Sequence, residues 1–247
     1  MQTRYLPVAL ALLAGLWVGA TQASVVISAT RVVFAAQERE VTVQLTNQGV
    51  APALVQAWLD DGDAQAEPEA IQVPFSVSPA MFRLDPDKGQ ALRLIHTREP
   101  MPQDRESLFW LNVLEIPSVA SGADAPANSL QIAVRSRIKV LFRPQGLSGL
   151  PAQAPAGVQW ALRREAGAWQ LQARNPSAYF VNLGDISLDL DGQVQALGSG
   201  YVAPFDRATF VLANATQTAT ARVRYIAIDD YGAGRPGDSP VELGHDR

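Results

Sequence analysis

Two cations stand among strand-forming residues: Arg31 in TRVVF, near the start of the first alternating stretch, and Lys139 in LQIAVRSRIKVLFR, residues 130–143. Taken singly, each reads as a solvated surface residue, because charged side chains are rarely buried without a partner. If the first and last strands of one sandwich end near each other, the pair makes a compact positive site fit for a carboxylate. Glu106, Arg143 and Asp230 form a second set. An arginine between two carboxylates across a domain boundary reads as a structural ion network that fixes the angle between domains, not as a catalytic group.

Catalytic machinery is scarce. The chain has two histidines and no cysteine. His245 lies in the C-terminal run and His96 alternates within LRLIHTRE, which leaves one candidate for acid–base work. Nucleophilic triads and multi-histidine metal sites are effectively excluded. Asp60-Asp61-Gly62-Asp63 and Asp229-Asp230 carry the oxygen chemistry of a hard-cation site but read as solvated turns. Gly198-Ser199-Gly200 reads as a plain turn and not as a phosphate loop. A formal charge of −4 gives no reason to expect nucleic acid. The expectation is a non-enzymatic protein with no cofactor and no metal.

The element that positions Lys139 and Arg143 is the 130–143 stretch itself. Leu130, Ile132, Val134, Ile138, Val140 and Phe142 form an apolar even row broken only by Ser136, while Gln131, Arg135, Arg137, Lys139 and Arg143 are odd. That is one long β-strand. Strands usually run about 5–6 residues, so this one is bent across two environments or projects beyond its neighbours. Its even row is core throughout, or part of it is offered to a partner.

Elsewhere, alternating β-rich segments punctuated by turns at 47–49, 60–62 and 85–89 predict seven or so strands and no helix, an immunoglobulin-like β-sandwich over 24–145. A Pro-, Gly-, Ala- and Gln-rich run at 144–157 reads as a linker or a slow crossing between domains, and the β rhythm resumes in a smaller all-β domain over 146–240. The polar run 235–247 reads as loose, with 241–247 a tail outside both domains. Residues 1–23 read as a secretory signal peptide, with an apolar run after Arg4 and cleavage after Ala20 or Ala23. No later run approaches the roughly 20 apolar residues of a membrane span, so a soluble exported product is expected. With 47% hydrophobic residues and no disulfides, stability rests on conventional cores.

DRESLFWLNVLEIP at 104–117, followed by LQIAVRSRIKVLFRP at 130–144, closely resembles the periplasmic pilus chaperones of the PapD type. TRVVF, PALVQAWLD, RLDPDKG, RNPSAYFVN and DDYGAGRP extend the resemblance in the same order over nearly all of the mature chain. It implies two immunoglobulin-like domains set in an L with a cleft between them. It implies that Arg31 and Lys139 anchor the C-terminal carboxylate of a pilus subunit, and that Glu106, Arg143 and Asp230 form the interdomain salt bridge. Leu130, Ile132 and Val134 correspond to the donor residues inserted into the groove of a subunit lacking its own last strand.

The short connection at 117–129 resembles the short-loop branch of the family. Ala80 follows Pro79 where relatives often place a second proline, which leaves a cis bond there open. The resemblance further implies a surface patch near Leu54, Gln56 and Ile116 that meets an outer-membrane usher, and a periplasmic location. The donor edge is also available for self-association. The rival to this reading is a structural adhesin or pilus component built from the same sandwiches.

Overall fold

The computed structural model describes residues 24–118, 131–165, 168–212 and 220–243. The expected signal peptide, Leu130 and His245 lie outside the described residues. Period-two alternation becomes strands wherever one face can be buried. The first domain carries β1 (Val25–Ile27), β2 (Arg31–Ala35), β3 (Glu40–Asn47), β4 (Ala53–Asp60), β5 (Phe75–Ser78), β6 (Met81–Leu84), β7 (Gly89–His96), β8 (Ser107–Pro117) and β9 (Val134–Arg143). Nine strands among the described residues replace the seven or so expected. Shorter pieces such as β1 and β6 fall below the length at which alternation can be read.

These strands form a four-stranded sheet, order β1-β3-β7-β5, and a five-stranded sheet, order β2-β9-β8-β4-β6. Phe34, Leu45, Val55, Leu92, Leu94, Leu111, Val140 and Phe142 fill the space between them. Fully burying a side chain of this size stabilises the fold by about 1.5–3 kcal/mol. His96 belongs to this layer, its ring 4.9 Å from that of Phe142 and 5.1 Å from that of Phe75. Burial pushes its pKa down. The one histidine that could have served acid–base chemistry is therefore an aromatic packing residue. The Ser78–Pro79 peptide, left open by the sequence, is cis.

The second domain carries β10 (Gln159–Glu165), β11 (Ala168–Arg174), β12 (Val181–Leu190), β13 (Gln193–Val202), β14 (Arg207–Val211), β15 (Ala221–Ile228) and β16 (Gly234–Leu243). Their order is β13-β12-β15-β16-β10-β11-β14, around a core of Trp160, Leu162, Leu171, Ile186, Leu188, Val202, Val223 and Tyr225. Strand β16 pairs antiparallel with β15 over 234–240 and parallel with β10 over 241–243, joining the two halves of the sheet.

Three sequence expectations are corrected here. The run 235–243, expected to be loose, is most of β16, and Val241 is buried; its polar side chains conceal a strand held by main-chain pairing on two sides. The 144–157 run is not free linker, because Pro151–Gly157 forms a 3-10 turn whose Ala154 enters the second core, with Leu147 packed against it. Gly198-Ser199-Gly200 lies inside β13 at a register shift against β12, with Gly198 at φ +81°, and is not a turn. Among the described residues no helix is long and apolar enough to cross a membrane.

Candidate functional site

Strand β2 runs parallel to β9, with Arg31 opposite Lys139 and Ala35 opposite Arg143. The two cations of the first set are thus neighbours in one ladder. Arg31 donates from one terminal nitrogen to the Ile228 carbonyl at 3.4 Å, while its Nε is buried with no hydrogen-bond partner. Lys139 Nζ donates to Asn182 Oδ1 and sits 4.5 Å from the Tyr201 ring centroid and 5.5 Å from that of Trp110. Burial, and then the neighbouring Arg31, push the Lys139 pKa down to about 8. Burial also lowers that of Arg31, although Asp230 and Asp229 counter it.

Neither cation forms a salt bridge among the described residues. Two partly desolvated like charges, one with an unused donor, are the electrostatic complement of an anion. The turn that follows Asp229 closes over this end of β2. Gly232 lies so near Thr30 that an added Cβ would meet its Oγ1 at 2.3 Å, and its φ of +86° suits glycine.

Four residues further along β9, on the same face, the second set is brought together. Arg143 donates to both oxygens of Asp230 at 2.8 Å, and its Nε donates to Glu106 at 2.5 Å. Glu106 accepts a further bond from the Phe180 amide at 2.7 Å, while its own amide donates to the Ala178 carbonyl at 2.9 Å. Burial pushes the Glu106 carboxyl up, with Arg143 opposing it; burial also works against the Arg143 charge, but Asp230 and Glu106 more than offset it and hold it above the ordinary arginine range. Leu141, between Lys139 and Arg143 on this face, is buried although it belongs to neither core.

Strand β9 begins at Val134, with residues 131–133 outside it, because its ladder with β8 ends at Val134 opposite Glu115. The ladder with β2 covers only 139–143, so, among the described residues, 134–138 have an open edge. Along the even row, Val140 and Phe142 are buried, Ile138 and Val134 half-buried, and Ile132 is 62% exposed. The apolar row therefore runs off the end of the core into solvent, beside unpaired main chain. That combination can add a strand to an incomplete sheet. Leu54 and Ile116 are paired neighbours on β4 and β8, and Gln56 lies two residues from Leu54 on the same face; Leu54 is exposed, Gln56 and Ile116 half-buried.

The sequence missed Asn182 and Gly232, whose contacts come from the other domain, and misread Asp60. Asp60 is fully buried, accepting hydrogen bonds from Arg137 and from Asn112 at 2.7 Å, and is no solvated turn. Asp229 likewise accepts the Tyr231 and Ala233 amides at 3.0 and 2.9 Å, which closes its own loop.

Residues 24–148 match the family model "Pili and flagellar-assembly chaperone, PapD N-terminal domain", and residues 153–239 match "Pili assembly chaperone PapD, C-terminal domain". The chain is 42% identical over 226 residues to the chaperone protein FimB/FhaD of Bordetella pertussis, covering 90% of each. It is 39% identical over 221 residues to the probable fimbrial chaperone YadV of Escherichia coli, covering 88% of this chain and 89% of that one. A crystal structure of the YadV chaperone superposes with a TM-score of 0.75 at 35% identity, covering 88% of this chain and 100% of the other. The Salmonella enterica SafB chaperone, solved in complex with the SafA pilin, gives a TM-score of 0.72 at 27% identity over 90% of this chain and 98% of that one. The two sandwiches, the paired cations and the half-open strand thus belong to a protein of the PapD family of pilus-assembly chaperones.

Proposed function

We propose that this protein is a periplasmic chaperone that binds, folds and caps pilus subunits by donor-strand complementation and passes them to an outer-membrane usher. The observation that carries the reading is the register pairing of Arg31 with Lys139 at the foot of an open strand edge. A subunit strand running along 134–138 ends its main-chain pairing where β2 takes over, beside the two cations that receive its terminal carboxylate. Charge-assisted hydrogen bonds of this kind contribute about 1.5–3 kcal/mol each.

Leu130, Ile132 and Val134 fill the subunit groove, and their burial supplies roughly 5–9 kcal/mol before ordering costs. Main-chain pairing adds affinity without demanding a single subunit sequence. Export through the signal peptide brings the chaperone to the periplasm. Glu106, Arg143 and Asp230 hold the two domains at the angle that keeps the cleft open, and Leu54, Gln56 and Ile116 supply the usher-facing patch.

The test is co-expression with candidate subunits and affinity capture. Arg31→Ala and Lys139→Ala are expected to lose the subunit while leaving the fold intact, and full retention by both variants contradicts the assignment. Purified fibres separate this function from that of a structural pilus component, since a chaperone is absent from them.

A further inference from the structure

We infer that Asp60 is a positioning residue for the open half of β9. Among the described residues, 134–138 lack what normally holds a strand, having one ladder instead of two and an even row that leaves the core. Their odd face is tied down instead. Arg137 makes a bidentate contact with Asp60, with Nε donating at 3.0 Å, and its guanidinium lies 4.2 Å from the Trp110 ring centroid. Arg135 donates twice to Asn112 Oδ1 at 2.9 and 2.7 Å and once to the Ala64 carbonyl at 2.7 Å, and lies 4.8 Å from the Trp58 ring. Asn112 in turn donates to Asp60, whose other oxygen accepts the Gly62 amide at 2.8 Å.

The clamp reaches from β4 across β8 to β9, and Asp60 is its hub. Arg137 and Asn112 hold its carboxylate below the ordinary range against the opposing effect of burial. Because the clamp acts only on the face away from the core, it leaves the edge and the even row free. It fixes the strand without occupying the groups a partner strand needs. Preorganisation of this kind lowers the ordering cost of association. The binding consequence rests on the donor-strand reading above, whereas the ordering of the free strand does not.

Hydrogen–deuterium exchange of the free protein tests it, comparing amides of 134–138 with those of β3 and β7 in wild type, Arg137→Met and the double variant Asp60→Asn/Arg137→Met, which strands no buried charge. Exchange at 134–138 is expected to accelerate at least tenfold while β3 and β7 stay within twofold. Subunit association is expected to slow by a similar factor. Unchanged exchange at 134–138, or equal acceleration throughout the domain, overturns the proposal. Should Arg137→Met fail to fold, Arg135→Met, which cuts the Asn112 and Ala64 bonds but spares the Asp60–Arg137 pair, carries the same expectation. Local acceleration in a protein whose wild type captures no subunit supports the clamp and overturns the chaperone function instead.

Discussion

Lys139 shows at the scale of one residue how a cation placed for binding, as proposed above, costs stability. Burial and Arg31 bring its pKa down from 10.5 to about 8. Between those values the unfolded chain binds more protons than the folded one, so this residue's contribution makes stability rise with pH across that window. Below about 8 the cost of the buried charge is fully present. The difference in melting temperature between wild type and Lys139→Met is therefore expected to shift in favour of wild type from pH 8 to pH 10, and to be flat from pH 6 to pH 7.5. A flat difference throughout contradicts the buried-cation account. A carboxylate ligand stabilises the charged form, so subunit affinity is expected to be constant from pH 6 to 7.5 and to weaken, by up to tenfold per pH unit, above about 8. Titration calorimetry in buffers of differing ionisation heat should then show proton uptake on binding above that pH.

At the scale of the element, β9 is two strands in one. Ile132→Asp changes a side chain that is 62% exposed, so stability is expected to move by no more than about 0.5 kcal/mol, while subunit capture falls at least tenfold. Phe142→Ala, in the same row but fully buried, is expected to cost about 3–5 kcal/mol in denaturant unfolding. Equal destabilisation by both substitutions contradicts the division. Alternation made the whole row visible in the sequence, along with most of the sandwich strands, because one buried face imposes a period of two. It could not show where the row leaves the core, since that depends on where β2 stops pairing. Strand β16 was hidden for the opposite reason, being held by main-chain bonds while most of its side chains face solvent. Asp60 looked like part of an acidic turn because Arg137, which buries it, lies far along the chain and two strands away.

At the scale of the whole molecule, both cations of the proposed carboxylate site are tied to the second domain, Arg31 through the Ile228 carbonyl and Lys139 through Asn182. The site is therefore no better defined than the joint between the domains. That joint is concentrated at Arg143, which holds Asp230 bidentately and Glu106 by its Nε, with the Arg105 guanidinium 5.1 Å from the Phe205 ring as a further contact. Asp230→Ala removes the bidentate half but leaves Glu106 on Arg143, so no charge is stranded and both hydrophobic cores stay intact. Hydrogen bonds to charged groups contribute about 1.5–3 kcal/mol each, enough to change the population of domain orientations without unfolding either domain. It also removes a carboxylate that favours the charged form of Arg31. Small-angle scattering of Asp230→Ala is expected to give a larger radius of gyration, while the separate core transitions keep their midpoints. Subunit affinity is expected to fall about tenfold even though the proposed donor strand is untouched. A scattering profile and affinity both equal to wild type would mean that the cleft is held by the other contacts and that the Arg143–Asp230 pair does not govern it.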